Sequence, residues 1–179
     1  MTERLRVAGI QHKFLDWPNP EDGCVVIFFS GCKHNCPGCQ SPDLQNFETG
    51  FGISIPNLIR VIKEELKRQR TDKLALSGGD PLYQGKLVNK FLEELKKECP
   101  EVQTIIYTGF EFEEVITVLS TFDYVKTGIY REDLKQQSGK TNDRMTLAST
   151  NQKIWTFDGK LLSKDGVIEF NNNLRKQNV

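Results

Sequence analysis

Short apolar strand patterns alternate with amphipathic helical patterns along most of the chain, and this alternation constrains the fold more than any other feature. Residues 24–30 are β-branched and aromatic, and they lie between Asp22-Gly23 and Gly31, as expected of a buried strand. Further strands are predicted at 73–77, 102–107 and 124–127, with helices at 54–70, 87–95 and 112–119. Because strand and helix alternate, the sheet is predicted to be mostly parallel.

The length of 179 residues limits the architecture. A complete (β/α)8 barrel needs about 250 residues, whereas this chain offers four or five strand-helix units and then a predicted hairpin over residues 153–162. We therefore expect an α/β fold, either a partial (β/α) barrel or an open, mostly parallel sheet with flanking helices and a C-terminal hairpin. One domain over residues 1–179 is expected, with its core at about 22–157 and a frayed tail at 171–179.

Charge and hydropathy exclude several functions. Lys and Arg number 24, as do Asp and Glu, so no basic field favours nucleic acid. The longest apolar stretch, Cys24 to Phe29, is far shorter than the roughly 18 residues of a spanning helix. The opening residues do not form a signal peptide. We expect a cytoplasmic protein with neither a nucleic acid nor a membrane as partner.

The cysteines indicate where function lies. Of the five, Cys32, Cys36 and Cys39 fall within eight residues, while Cys24 and Cys99 stand apart and are expected to be structural. An odd number with this clustering fits a secreted disulfide framework poorly. In a reducing compartment, clustered thiols more often bind metal or carry out redox chemistry.

The spacing C-x3-C-x2-C places three thiolates on one tight loop, which the Pro37-Gly38 pair turns sharply. Structural zinc sites and electron-transfer [4Fe-4S] clusters usually have four protein ligands. Three cysteines on a [4Fe-4S] cluster leave one iron open to a substrate. Two alternatives without catalysis stay open: a zinc module whose fourth ligand is His34 or His12, and an electron-carrying cluster protein.

The other segments of chemical interest also follow predicted strands. They are residues 77–81, 108–109 and 126–128, and like the cysteine loop they lie where a strand ends. In parallel α/β folds, ligands bind at the carboxyl ends of the strands. The sequence therefore predicts a single site at that edge of the sheet.

The loop Gly31-Cys-Lys-His-Asn-Cys-Pro-Gly-Cys39 resembles the cluster loop of the radical S-adenosylmethionine superfamily. The segment Ser77-Gly-Gly-Asp-Pro-Leu82 resembles its glycine-rich motif. Within the superfamily, the chain is most similar to activating proteins of the anaerobic ribonucleotide reductase. The other matching segments are Tyr107-Thr-Gly-Phe110, Asp123-Tyr-Val-Lys-Thr-Gly-Ile-Tyr130 and Thr150-Asn-Gln152. The resemblance spans about residues 22–155.

Two positions depart from the family patterns. Gly38 stands where many superfamily members have an aromatic residue, although members of the activating branch resemble this chain. Lys126-Thr-Gly128 stands where many activating proteins have Val-Asp-Gly. A role for that aspartate in cofactor binding therefore does not transfer.

The resemblance implies one [4Fe-4S] cluster on the three cysteines, with S-adenosylmethionine bound through its amino and carboxylate groups at the open iron. No other catalytic residue is implied. Gly78 and Gly79 allow close backbone approach, and the Asp80 carboxylate accepts from the methionine ammonium. The cofactor-binding candidates are Gly78, Gly79, Asp80, Thr108, Gly109, Lys126, Asn151 and Gln152. Of these, we expect Lys126 to pair with the methionine carboxylate, Thr108 and Gly109 to shape the adenosyl pocket, and the two amides to bind ribose or adenine.

The implied reaction begins with one electron from a flavodoxin- or ferredoxin-like donor. Reductive cleavage of the cofactor gives methionine and a 5′-deoxyadenosyl radical, which abstracts hydrogen from a glycine of the large reductase subunit. The predicted docking surface for that subunit lies near Lys33, His34 and residues 40–44. The alternative enzymes are an activase of another glycyl radical enzyme and a small-molecule radical enzyme such as a deazaguanine synthase.

Overall fold

Four parallel strands form the centre of the main sheet in the computed structural model, which describes residues 3–13, 23–136, 140–141 and 144–169. Numbered in chain order, they are β2 (Cys24–Phe29), β4 (Lys73–Gly78), β5 (Gln103–Tyr107) and β6 (Tyr124–Thr127). Antiparallel strands extend this centre on both sides: β1 (Arg4–Lys13), β3 (Phe51–Ser54) and β9 (Lys153–Thr156). The seven strands of this sheet run in the order β3-β1-β2-β4-β5-β6-β9. The carboxyl ends of all four parallel strands therefore share one edge.

Three helices connect the parallel strands: α1 (Ile55–Gln69), α2 (Gly85–Glu98) and α3 (Phe112–Val118). In α1, the buried stripe of Leu58, Ile59, Ile62 and Leu66 follows the helical period. Ser54 stands at the N-cap position as expected, although its side chain makes no capping hydrogen bond. None of the described helices is long and apolar enough to cross a membrane.

The alternation of side chains along β2 explains how both faces of the sheet are covered. Val25, Ile27 and Phe29 pack in the larger core beneath the helices. Val26 faces the opposite side, where Leu147 and Ile168 cover it. On that opposite side lies a small antiparallel sheet. Its strands are β7 (Lys140–Thr141), β8 (Arg144–Thr146), β10 (Ser163–Lys164) and β11 (Val167–Glu169). Buried on both faces, β2 reads as a continuous apolar run.

The predicted mixed α/β architecture with its parallel centre is confirmed, but a barrel is not, since the edge strands β3 and β9 do not pair with each other in the described residues. The C-terminal hairpin is also confirmed: the Leu162 N–H donates to the Ile154 carbonyl at 2.8 Å. The sequence analysis missed β1, β3 and the small second sheet. The predicted frayed tail at 171–179 lies outside the described residues.

Candidate functional site

The cysteine loop leaves the carboxyl end of β2 and is fixed at once by backbone hydrogen bonds. Gly31 turns the chain with a φ of +97°, a conformation that favours glycine. Its N–H donates to the Leu44 carbonyl at 2.8 Å, and the Cys32 N–H donates to the Gln45 carbonyl at 3.1 Å. Both acceptors lie in a short 3-10 helix, Pro42–Gln45. The loop entrance is thus held independently of any ligand.

Within the loop, two residues have a left-handed backbone conformation that turns the chain between the cysteines. Asn35 has a φ of 48° and Gly38 a φ of 74°. The Cys39 N–H closes the second turn by donating to the Cys36 carbonyl at 3.1 Å. All three thiols are free and partly exposed. Burial raises the pKa of Cys32, and the backbone N–H of His34, which donates to that sulfur, opposes the shift.

The glycine-rich turn after β4 packs directly on the cysteine loop. The Gly79 N–H donates to the Phe29 carbonyl at 2.8 Å, and the Asp80 N–H donates to the Gly31 carbonyl at 2.9 Å. A Cβ on Gly79 would lie only 2.6 Å from the Gly31 oxygen. The backbone that closely approaches Gly79 is therefore that of the chain's own cysteine loop.

The Asp80 carboxylate lies at the centre of a buried hydrogen-bond network and is only 2% exposed. It accepts from the Leu82 N–H at 3.0 Å, so that it also caps the 3-10 helix Pro81–Gln84. From the end of β5 it accepts from the Thr108 hydroxyl at 2.9 Å and the Gly109 N–H at 2.8 Å. His34 Nε2 lies 2.9 Å from its Oδ2. Three of the predicted site segments are thereby joined to one side chain.

Lys126 lies at the end of β6, partly buried among the other site segments. Its Nζ is 5.7 Å from the centre of the Tyr107 ring. Burial lowers its pKa to about 8, while Asp80 and Cys36 nearby oppose the shift. Within the described ranges, no carboxylate forms an ion pair with this ammonium. A cation in such surroundings favours an anionic ligand.

The two predicted amide residues differ in what they leave available. Gln152 is buried, and its amide donates to the Gly128 carbonyl at 3.2 Å and accepts from the Ser149 N–H at 3.3 Å. Asn151 donates to the Ile129 carbonyl at 2.9 Å. Its Oδ1 is buried without a hydrogen-bond partner in the described part of the chain. Gln152 thus supports Gly128, whereas the Asn151 Oδ1 is a buried acceptor without a partner among the described residues.

The three thiols of the loop are the ligand type that iron-sulfur clusters use. Across the described residues, no three His, Cys, Asp or Glu side chains are arranged to hold one metal ion. A zinc site would need such a set. A [4Fe-4S] cluster would instead bind each of the three thiolates to a different iron. Cys32, Cys36 and Cys39 are the residues that would hold it.

Several residues around the loop were missed by the sequence analysis. The rings of Tyr83 and Phe110 pack against His34 with centroid separations of 5.4 and 4.8 Å. Glu132 contacts Gly38 from the other side and accepts a hydrogen bond from Tyr130. The Asp80-Pro81 pair is a recognisable helix-capping signal. The aromatic and acidic contacts are long-range and have no comparable local pattern.

Comparisons with known proteins agree with this geometry. The family described as "4Fe-4S single cluster domain" matches residues 21–155, so the chain is an iron-sulfur protein of that class. Named relatives then narrow the assignment. A protein of Haemophilus influenzae is 31% identical over 112 residues, which cover 59% of this chain and 70% of the relative. A protein of phage T4 is 28% identical over 142 residues, covering 76% and 90%.

A third relative, from Pasteurella multocida, is 28% identical over 158 residues, covering 83% of this chain and 96% of its own. All three are named anaerobic ribonucleoside-triphosphate reductase-activating proteins. This chain belongs to that family. The resemblance stated from the motifs, and the expectation of a [4Fe-4S] domain, are thereby confirmed, while the roles of the individual site residues stay predictions.

Proposed function

We propose that this chain is a radical S-adenosylmethionine activase that generates the glycyl radical of an anaerobic ribonucleotide reductase. The names of its relatives support the partner, and the family supports the cluster. The observation that carries the proposal is the convergence of the cysteine loop with Asp80 and Thr108 at one edge of the sheet. We place the activity in the cytoplasm, as the cysteine usage suggests.

Cys32, Cys36 and Cys39 would hold the cluster, and three thiolates leave one of its four irons without a ligand from the loop. When bound, the cluster supplies the electron for reductive cleavage of S-adenosylmethionine. The chain's part is to hold the cofactor in position and to keep water away. The packed rings of Tyr83 and Phe110 close one side of the loop.

Each remaining candidate is given a role by its local chemistry. Lys126 pairs with the methionine carboxylate, because it is a partly buried cation with no ion pair of its own among the described residues. The unpartnered Oδ1 of Asn151 accepts from the adenosine part. Gly78, Gly79 and Gly109 contribute backbone groups. Gln152 acts through its hydrogen bond to Gly128. Thr108 and Asp80 hold the segments of the site together through their hydrogen bond.

The glycine of the reductase enters from the exposed side of the cysteine loop. Lys33, Gln40 and residues 42–43 are exposed there and form the proposed docking surface. His34 is removed from that predicted surface, since its side chain is only 16% exposed and is bound inward. A flavodoxin- or ferredoxin-like protein is the proposed electron donor.

The decisive experiment mixes the reconstituted protein with reductant, S-adenosylmethionine and the large subunit of an anaerobic ribonucleotide reductase. We expect 5′-deoxyadenosine together with a carbon-centred glycyl radical, detected by electron paramagnetic resonance. The variant Cys36→Ser should give neither product, whereas the matched variant Cys99→Ser should give both. Formation of 5′-deoxyadenosine with no radical on the reductase would favour another glycyl radical enzyme, or a small metabolite, as substrate.

A further inference from the structure

His34 connects the cysteine loop to the rest of the site through both its backbone and its side chain. Its backbone N–H lies beside the Cys32 sulfur, where it lowers the pKa of that thiol. Its imidazole lies 2.9 Å from the Asp80 carboxylate. Since a carboxylate accepts and does not donate, Nε2 carries the hydrogen of this bond. One residue thus links a proposed cluster ligand with a buried anchor on a different strand.

The packing around the imidazole leaves it little freedom. Tyr83 and Phe110 contact the ring, which is tilted against the first and edge-on to the second. Position 109 lies against the ring as well: a Cβ there would lie 2.6 Å from Nε2. Glycine at that position is therefore required for the imidazole to reach Asp80.

The anchor itself is rigid. Asp80 is held by the Leu82 N–H on one oxygen and the Gly109 N–H on the other, and the Thr108 hydroxyl contacts both. A buried and fully bonded carboxylate of this kind fixes the position of whatever it binds. The residues at the ends of β4 and β5 thus fix the position of the loop segment between Cys32 and Cys36.

We infer that His34 is a positioning residue, whose bond to Asp80 holds the cysteine loop so that its backbone N–H is directed at the Cys32 sulfur. The inference rests on the proposal that Cys32, Cys36 and Cys39 hold the cluster. Two consequences follow. The cluster is retained longer, because the loop cannot swing away from it, and its reduction potential is higher, because hydrogen bonds to sulfur stabilise the reduced state.

The test uses three substitutions that separate ring packing from hydrogen bonding. His34→Phe keeps an aromatic ring between Tyr83 and Phe110 but has no donor, His34→Gln keeps a donor near the place of Nε2, and His34→Ala removes both. Lys33→Arg, on the exposed neighbour in the same loop, is the matched control, because it changes the side chain and keeps the charge. Each reconstituted protein is mixed anaerobically with an iron chelator, and the cluster potential is measured without S-adenosylmethionine.

His34→Phe and His34→Ala should lose iron about tenfold faster than the parent and should have a more negative potential. His34→Gln and Lys33→Arg should stay close to the parent in both measurements. If His34→Ala does not fold, the comparison of His34→Phe with His34→Gln decides alone.

A His34→Phe variant indistinguishable from the parent would overturn the inference, as would a His34→Gln variant no better than His34→Phe. If the parent retains iron that Cys36→Ser loses, such a result refutes only the role of His34. A parent that binds no iron at all would overturn the proposed function and this inference together.

Discussion

The carboxylate of Glu132 occupies the space that a side chain at position 38 would need. A Cβ built on Gly38 would collide with Glu132 Oε2, and Tyr130 lies 3.1 Å away. Tyr130 donates a hydrogen bond to the same carboxylate, which raises the pKa of its hydroxyl to about 12. The glycine that departs from the common superfamily pattern is thus matched by a partner elsewhere in the chain.

This relationship predicts the cost of a side chain at position 38. In Gly38→Ala, the left-handed backbone, with its φ of 74°, should cost about 1–2 kcal/mol of unfolding free energy. A further loss should follow because Glu132 must leave Tyr130. Urea unfolding of the protein without iron measures both losses of unfolding free energy.

Gly159→Ala is the matched control, because Gly159 also has a positive φ, 84°, but its nearest neighbour would be an ordinary 3.7 Å from the new Cβ. It should show the backbone cost alone. In a Glu132→Ala background, Gly38→Ala should lose only as much unfolding free energy as Gly159→Ala does. Equal losses for Gly38→Ala and Gly159→Ala in the parent background would contradict the steric part of the argument.

The cysteines provide the second prediction. Serine at Cys32, Cys36 or Cys39 should abolish iron binding, measured as about four irons per chain in the reconstituted parent. Cys24→Ser and Cys99→Ser should retain nearly all of it. Cys24 begins β2, and five residues of strand at about 3.3 Å each separate it from the loop by about 16 Å.

Cys99, which follows α2, is likewise remote from the carboxyl edge of the sheet. An iron content that depended on Cys24 would give the cluster a fourth protein ligand. The open iron on which the proposed function relies would then be lost.

The order of strands and helices could be predicted because its signals are local. The apolar run of β2 and the stripe of α1 each lie within one element. β1 could not be predicted in this way, because its residues mix apolar and charged types. It pairs antiparallel with β2 and also with β3, and β3 lies some 40 residues further along the chain. Such pairing depends on distant residues rather than on a local pattern.

The site residues likewise divide into those that a local sequence pattern predicts and those that depend on distant contacts. The cysteine spacing is local, and it gave the proposed ligands. Asp80 was predicted to accept from the methionine ammonium, a role that stays a prediction, but the structure shows both its oxygens already bound to groups from three segments. Those partners lie up to 46 residues away in sequence, and no spacing rule connects them.

The third prediction follows from that network. Asp80→Ala removes the common acceptor of the Leu82 and Gly109 N–H groups and the Thr108 hydroxyl, leaving buried donors unpaired. The unfolding free energy should fall by about 3 kcal/mol. Asp158→Ala, at an exposed carboxylate, should leave it nearly unchanged. Comparable unfolding curves for the two variants would show that the Asp80 network contributes little to the fold.

The last prediction concerns pH. The groups that face the Lys126 ammonium are Asp80, Cys36 and the Tyr107 ring, and burial lowers its pKa to about 8 despite the two acidic neighbours. If Lys126 pairs with the methionine carboxylate, the ammonium form is the one that binds. The affinity for S-adenosylmethionine should then be at its full value below pH 8 and fall as the pH rises through 8, approaching tenfold per pH unit.

Anaerobic calorimetric titration of the reconstituted protein between pH 7 and 9.5 measures this dependence. Lys126→Arg should show only the pH dependence that the ligand's own amino group and the cluster cause, because the guanidinium keeps its charge. Lys126→Gln should bind weakly at every pH. The comparison isolates Lys126, because the cluster and the ligand titrate identically in all three proteins. A parent affinity that falls no more steeply than that of Lys126→Arg would exclude the lysine as the carboxylate partner and leave its burial without a ligand to explain it.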